Sequence, residues 1–112
     1  MPTELPVASE PRLDLAAPPV EDVVAVARLL ADPTRAAVLA MLRDGPHCVC
    51  EIASALGERP NNLSMHLALL REAGLVRTSR YGGDARRAYY ERDEAACAAA
   101  LAVVRRLLEP SA

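Results

Sequence analysis

The 112-residue chain contains no tryptophan, no phenylalanine and no lysine. Its only aromatic residues are three tyrosines, so the 52% hydrophobic content must build a core from Ala, Leu and Val, which suits packed helices. No apolar run reaches the roughly 20 residues needed to span a bilayer. The N-terminus lacks the basic start and apolar block of an export signal. Cysteine is scarce: three residues, an odd number and no export signal point to free thiols in a reducing cytoplasm rather than a disulfide framework. The length is that of one domain.

What is present is unevenly placed. The net charge of −2 argues against nucleic acid, but all 13 basic residues are arginine, and Arg59 to Arg92 carries a local +4 inside an otherwise acidic chain. A basic segment of that kind is either a solvated face or an electrostatic footprint for phosphate.

Residues 1–19 hold five prolines and little periodicity, and read as a disordered or loosely docked arm. The domain proper spans 20–109. "EDVVAVARLLA" (Glu21 to Ala31) has acids in its first turn and helical apolar spacing. Asp32 as N-cap and Pro33 at the first helical position open a second helix to about Arg43. A third helix starts near Cys48 and stops at Gly57, a left-handed cap. A fourth starts at Pro60 and closes at Gly74, with Leu63, His66, Leu67 and Leu70 on one face. "LVRTSRY" and "RRAYYER" around "GGDA" predict a β-hairpin, and Asp93 to Glu109 a last helix with a stripe at Cys97, Ala100, Leu101, Val104 and Leu108. The expected fold is mainly α with a β-hairpin: a winged helix-turn-helix in the order α-α-α-α-β-β-α.

"LADPTRAAVLAMLRDG", "CVCEIASALG" and "LSMHLALLREAGLV" followed by the hairpin resemble the ArsR/SmtB family of metal-responsive repressors, over about residues 21 to 109. The resemblance implies a homodimer built on the first and last helices that releases operator DNA when an inducer binds. Two positions depart from the family pattern: Arg59 where a capping serine is usual, and Met65 where a histidine is common.

DNA binding also has a basis in the residues. Asn61 and Asn62 offer amide donor–acceptor pairs to adenine edges, Ser64 suits a phosphate or base edge, and Met65 a thymine methyl. The hairpin arginines Arg80, Arg86 and Arg87 suit phosphates or a narrow minor groove. Asn61 and Asn62 also fit a plain helix start. His66 reads as a packed histidine rather than a base reader or ligand, and His47 as a loop residue.

"CVCE" resembles the "CVCD" element of the arsenic and cadmium-lead branches of that family, which makes Cys48 and Cys50 candidate ligands; otherwise they are two small buried hydrophobes. Thiolates are soft donors for As(III), Sb(III), Cd(II) or Pb(II). On a regular helix, residues i and i+2 lie about 200° apart, so a shared ion should distort the first turn of the third helix. A third cysteine three residues after the second, frequent in the arsenic branch, is replaced by Ala53. Residues 1 to 46 hold no cysteine such as cadmium-lead members use, and no histidine follows Asp93 as in zinc members. As(III), or Sb(III), on Cys48 and Cys50 is thus the expected inducer, with Cys97, solvent or a small thiol as third ligand; Cys97 otherwise packs a core or dimer stripe. No further cofactor is expected. A cadmium- or lead-responsive, or thiol-redox-responsive, repressor of the same fold is the alternative. A small cysteine-dependent enzyme is disfavoured, because no phosphate-cradling loop or paired-carboxylate site is present and the hairpin would have no role.

Overall fold

The computed structural model describes residues 20–79 and 88–110. The proline-rich arm and the hairpin turn, with Arg80, Arg86 and Arg87, lie outside the described residues.

Asp32 separates the first two helices, α1 (Val20–Leu30) and α2 (Pro33–Met41). Its backbone is extended and its Oδ1 accepts the N–H groups of Thr34 at 2.8 Å and Arg35 at 3.1 Å, satisfying two donors that the helix start leaves open. α2 stops two residues short of the sequence expectation, and Leu42–Asp44 tightens into a 3₁₀ turn before Gly45, whose φ of 125° ends the run.

The main departure from expectation follows. His47–Cys48 form a two-residue strand, β1, before α3 (Val49–Leu56). Gly57 closes α3 at φ 66°, as its sequence position implies. α4 (Pro60–Glu72) starts at an Arg59 that makes no side-chain cap, so the fixed φ of Pro60 sets the helix start instead. β2 (Val76–Ser79) and β3 (Tyr89–Arg92) form the expected antiparallel pair. β1 joins the outer edge of β3, His47 opposite Tyr90 and Cys48 opposite Tyr89, giving a three-stranded sheet in the order β1-β3-β2. His47 therefore lies in a strand, not a loop. α5 (Glu94–Leu108) is N-capped by Asp93, which accepts the Ala96 N–H at 3.0 Å.

The core lies between α2, α3, α4 and the sheet. Val38, Ile52, Leu63, Leu67 and Leu70 are fully buried, joined by Leu42, Leu75 and Val76. α5 packs on α1 but buries no residue of its own. Val24, Leu30, Leu101 and Leu108 stay exposed on these two helices, Leu108 at 75%. A single chain thus leaves an apolar face on α1 and α5 that a second copy can cover. No helix among the described residues is long and apolar enough to cross a membrane.

Candidate functional site

The strand-to-helix junction at Cys48 sets the geometry of the two thiols. Cys48 is the N-cap of α3, with an extended backbone at φ −83° and ψ 164°. Cys50 sits inside the first helical turn. The change of backbone between them cancels the opposed directions that i and i+2 take on a continuous helix, and the two sulfurs are paired as a disulfide, with the Cα atoms 5.4 Å apart, where the sequence reading expected free thiols. The expected distortion of the first turn is therefore not needed: α3 is regular from Val49 onward while the thiols already converge. Glu51 completes the junction by accepting the Cys48 N–H at 2.9 Å, the reach-back half of a capping box. His47 Nδ1 lies 3.5 Å from the same carboxylate oxygen.

The two thiols differ in environment. Cys48 is 1% exposed and Cys50 is exposed. Among the described residues, no group of three or more His, Cys, Asp or Glu side chains forms a metal-holding cluster. Cys97 is placed elsewhere: its thiol meets the Leu75 carbonyl oxygen at 3.7 Å and lines an apolar cavity of about 230 Å³ between α1 and α5. Desolvation pushes the Cys97 thiol above its ordinary pKa. The Cys97 stripe is half realised: Ala100 and Val104 are partly covered, whereas Leu101 and Leu108 face outward.

α4 presents Asn61, Asn62, Ser64 and Met65 to solvent, while Leu63, Leu67 and Leu70 face the core. Met65 is 58% exposed, a large apolar side chain held out on a polar face. The Ser64 hydroxyl donates to the Pro60 carbonyl at 2.9 Å, which leaves it only acceptor capacity unless that bond breaks. Of these four, the two asparagines and Met65 are free to meet a partner without rearrangement.

A polar tie behind α4 was not legible from the motif that contains it. His66, 13% exposed, has Nδ1 at 3.1 Å from Arg35 Nη1 and at 3.8 Å from Asp32 Oδ1. A guanidinium only donates, so Nδ1 accepts and the neutral ring carries its proton on Nε2. Arg35 also donates through Nε to the Leu29 carbonyl at 2.7 Å and through Nη2 to the Arg28 carbonyl at 3.2 Å. One side chain thus fastens the end of α1, the start of α2 and the middle of α4. Thr34 adds a hydroxyl bond to Glu58, in the turn before α4, at 3.4 Å. The Arg35 backbone N–H, followed by that of Thr34 and the nearby Arg35 charge, holds the Asp32 carboxyl below the usual carboxylate range. "ADPTR" carries three of these residues, but their partners on α4 and the turn before it are 24 to 34 positions away.

The sequence model of the arsR family of bacterial regulatory proteins matches residues 32–78, from the α2 cap to the first wing strand. The chain is 41% identical over 56 residues to the arsenical resistance operon repressor of Escherichia coli, covering 49% of this chain and 48% of that protein. It is 50% identical over 60 residues to the transcriptional regulator KmtR of Mycobacterium tuberculosis, covering 54% and 46%. These matches span about half the length of either relative. Over more of the chain, it superposes with a TM-score of 0.61 and 30% identity on the homodimeric winged helix-turn-helix DNA-binding domain of Mb0332 from Mycobacterium bovis, a possible ArsR-family regulator. That superposition covers 75% of this chain and 76% of the other. With the capped "ADPTR" helix, the paired helices α3 and α4 and the strands β2 and β3 in place, the chain belongs to the ArsR family of bacterial transcriptional regulators.

Proposed function

We propose that the protein is a homodimeric repressor that binds operator DNA through α4 and the wing and releases it when As(III) or Sb(III) bridges Cys48 and Cys50. The observation that carries the inducer assignment is the convergence of the two sulfurs at the head of α3, the helix directly before the one that presents Asn61, Asn62 and Met65. A pair of soft donors with an open remaining position suits a trivalent thiophile better than an ion that needs a four-ligand cage. Solvent or a small thiol supplies the third bond. Coordination would shift the Cys48 junction, and with it β1, α3 and the seat of α4. Arg80, Arg86 and Arg87 are assigned to the DNA backbone by sequence alone. Dimerisation is assigned to the exposed apolar face of α1 and α5.

The test is fluorescence anisotropy of a labelled promoter fragment, titrated in excess reductant with arsenite, antimonite, cadmium, lead and zinc. Release by arsenite and antimonite at the lowest concentrations is expected; release by cadmium or lead alone would overturn the inducer assignment. The same sulfur contact favours one second reading, a redox switch. There the two thiols would transfer two electrons and two protons to an organic hydroperoxide, which leaves as water and an alcohol while an S–S bond forms. Release by hydroperoxide but not by arsenite would select it.

A further inference from the structure

Cys48 belongs to three arrangements at once. It is the last residue of β1, the N-cap of α3 and one half of the sulfur pair. Its place at the head of α3 faces the DNA-reading helix, but its place in β1 ties it to the wing. β1 runs along the outer edge of β3, the middle strand of the sheet, which carries β2 on its other side. In that register Cys48 lies opposite Tyr89, and Tyr89 lies opposite Ser79. Directly opposed residues leave the same face of a sheet, so Cys48, Tyr89 and Ser79 form one row from the thiol site across both wing strands. The Cys48 N–H is given to Glu51 at 2.9 Å. The Cys48–Tyr89 pair is therefore one that exchanges no backbone hydrogen bonds of its own, the narrow kind of antiparallel pair, with about 4.5 Å between Cα atoms. Cys48 is 1% exposed yet stands outside the core cluster of Val38, Ile52 and the α4 leucines, and Tyr89 is half-buried. The tyrosine across the ladder is thus part of what closes Cys48 from solvent.

Bridging puts a heavy atom between the two sulfurs. With arsenous acid and the reduced thiols, two As–S bonds replace two As–O bonds, and the thiol protons leave in two waters. Exposed Cys50 can yield outward at little cost. Buried Cys48 cannot, because a close-packed interior has no spare space for an added atom. The added volume presses on what faces the Cys48 side chain. We infer that Tyr89 is the positioning residue through which an inducer on Cys48 and Cys50 moves the wing. Displaced across the ladder, it carries β3 with it, and β2 follows through its pairing to β3. The inference rests on the thiol-site reading above and adds a second limb to release, beside the one through α3 and α4. A reading helix and a wing that no longer keep one mutual geometry cannot both fit adjacent grooves of a duplex.

The experiment compares reduced wild type, Tyr89→Phe and Tyr89→Val. Ultraviolet sulfur-to-arsenic absorption reports arsenite binding, and anisotropy of a labelled operator duplex reports DNA binding. The ratio of DNA affinities without and with arsenite gives the coupling, typically about 5–150-fold between allosteric sites. Tyr89→Phe keeps the ring and should keep the coupling. Tyr89→Val keeps a strand-forming residue and removes the ring. It should still bind arsenite and operator separately, while its coupling falls several-fold. A merely structural tyrosine would instead weaken operator binding without arsenite and leave the ratio unchanged. Because the chain has no tryptophan, tyrosine emission is visible: arsenite should change it in wild type and much less in Tyr89→Phe. Arsenite should also speed amide hydrogen exchange in β2 and β3 of wild type, a readout that stands even where Tyr89→Val fails to fold. Full coupling in Tyr89→Val, an emission change undiminished in Tyr89→Phe, or β2 and β3 amides that exchange equally with and without arsenite overturns the wing limb and leaves the thiol site standing. Wild type that holds operator at saturating arsenite overturns the thiol-site reading itself, and this inference with it.

Discussion

Replacing Cys48 with serine separates the two roles assigned to that residue. Cys48 is 1% exposed, and a hydroxyl put in so buried a place without a partner costs about 1–3 kcal/mol. Here it has one. Cys48 is the N-cap of α3, and Glu51 already returns the bond from the third helical position at 2.9 Å. A serine keeps the capping box and replaces the weak sulfur acceptor that already faces the Glu51 N–H with a hydroxyl, which contributes about 1 kcal/mol. The two effects offset, leaving a net loss of about 1 kcal/mol, or about 4–8 °C in melting temperature for a domain of this size. Cys48→Ala has no hydroxyl to bury but caps nothing, so it should be the less stable variant. Simple burial of a small hydrophobe would give the opposite order. Denaturant unfolding followed by circular dichroism, at one fixed protein concentration because the dimer links stability to mass action, measures this directly. Both variants, and Cys50→Ser, whose exposed site should move stability by no more than about 0.5 kcal/mol, should bind operator DNA and fail to release it in arsenite. A serine variant less stable than the alanine would refute the capping argument, and arsenite release at wild-type levels in any of the three would refute the thiol site.

Cys97→Ser should keep the arsenite response, because its thiol faces Leu75 and not the thiol pair; the serine hydroxyl inherits the Leu75 carbonyl, so the loss of dimer stability should be small. X-ray absorption of the arsenite complex should count the same number of sulfurs in that variant as in wild type. Because burial raises the Cys97 pKa above 9.0, the folded state holds this proton longer than the unfolded one; its contribution to stability is full below about pH 9.0 and falls as pH rises through the folded value, a loss that Cys97→Ser should remove from alkaline melts. Asp32 has the opposite sign: its lowered carboxyl stabilises the fold above pH 3.8 and loses that contribution as pH falls through the folded value, so Asp32→Ala should flatten the acid limb of the stability profile. Arg35→Lys, which cannot span the Arg28 and Leu29 carbonyls and His66 together, should cost about 1.5–3 kcal/mol in denaturant unfolding. Arg86→Ala with Arg87→Ala should flatten the salt dependence of DNA binding, and an unchanged slope would remove the wing from the interface.

Features written in neighbouring residues were legible in the sequence. Asp32-Pro33 specifies a helix start within three positions, Gly57 a helix end in one, and Leu63, Leu67 and Leu70 at i, i+4 and i+7 of α4 a buried face, and all three hold. Features that depend on distant partners were not. β1 is only two residues long and exists because β3, some 40 positions later, offers an edge. That strand makes Cys48 extended and brings its sulfur to Cys50, so the local argument from helical spacing expected distortion where none is required. The tie from Arg35 to His66 spans 31 positions, and neither residue signals the other. His66 was legible as a packed residue through its leucine neighbours, but its polar partners were not.

The unequal exposure of Cys48 and Cys50 has a kinetic meaning. A thiophile arriving from solvent meets Cys50 first and forms one bond at a rate set by its own concentration. The second bond, to Cys48, is a ring closure at a high effective concentration fixed by the fold. Capture and commitment are thus separate events. An electrophile with a single reactive position stops at the first, marking Cys50 and leaving the Cys48 junction and the helices behind it undisturbed. If the proposed inducer site is right, only an atom able to bond twice would reach the buried sulfur, and such a repressor would ignore most of the thiol-reactive compounds a cell contains and answer the few that bridge.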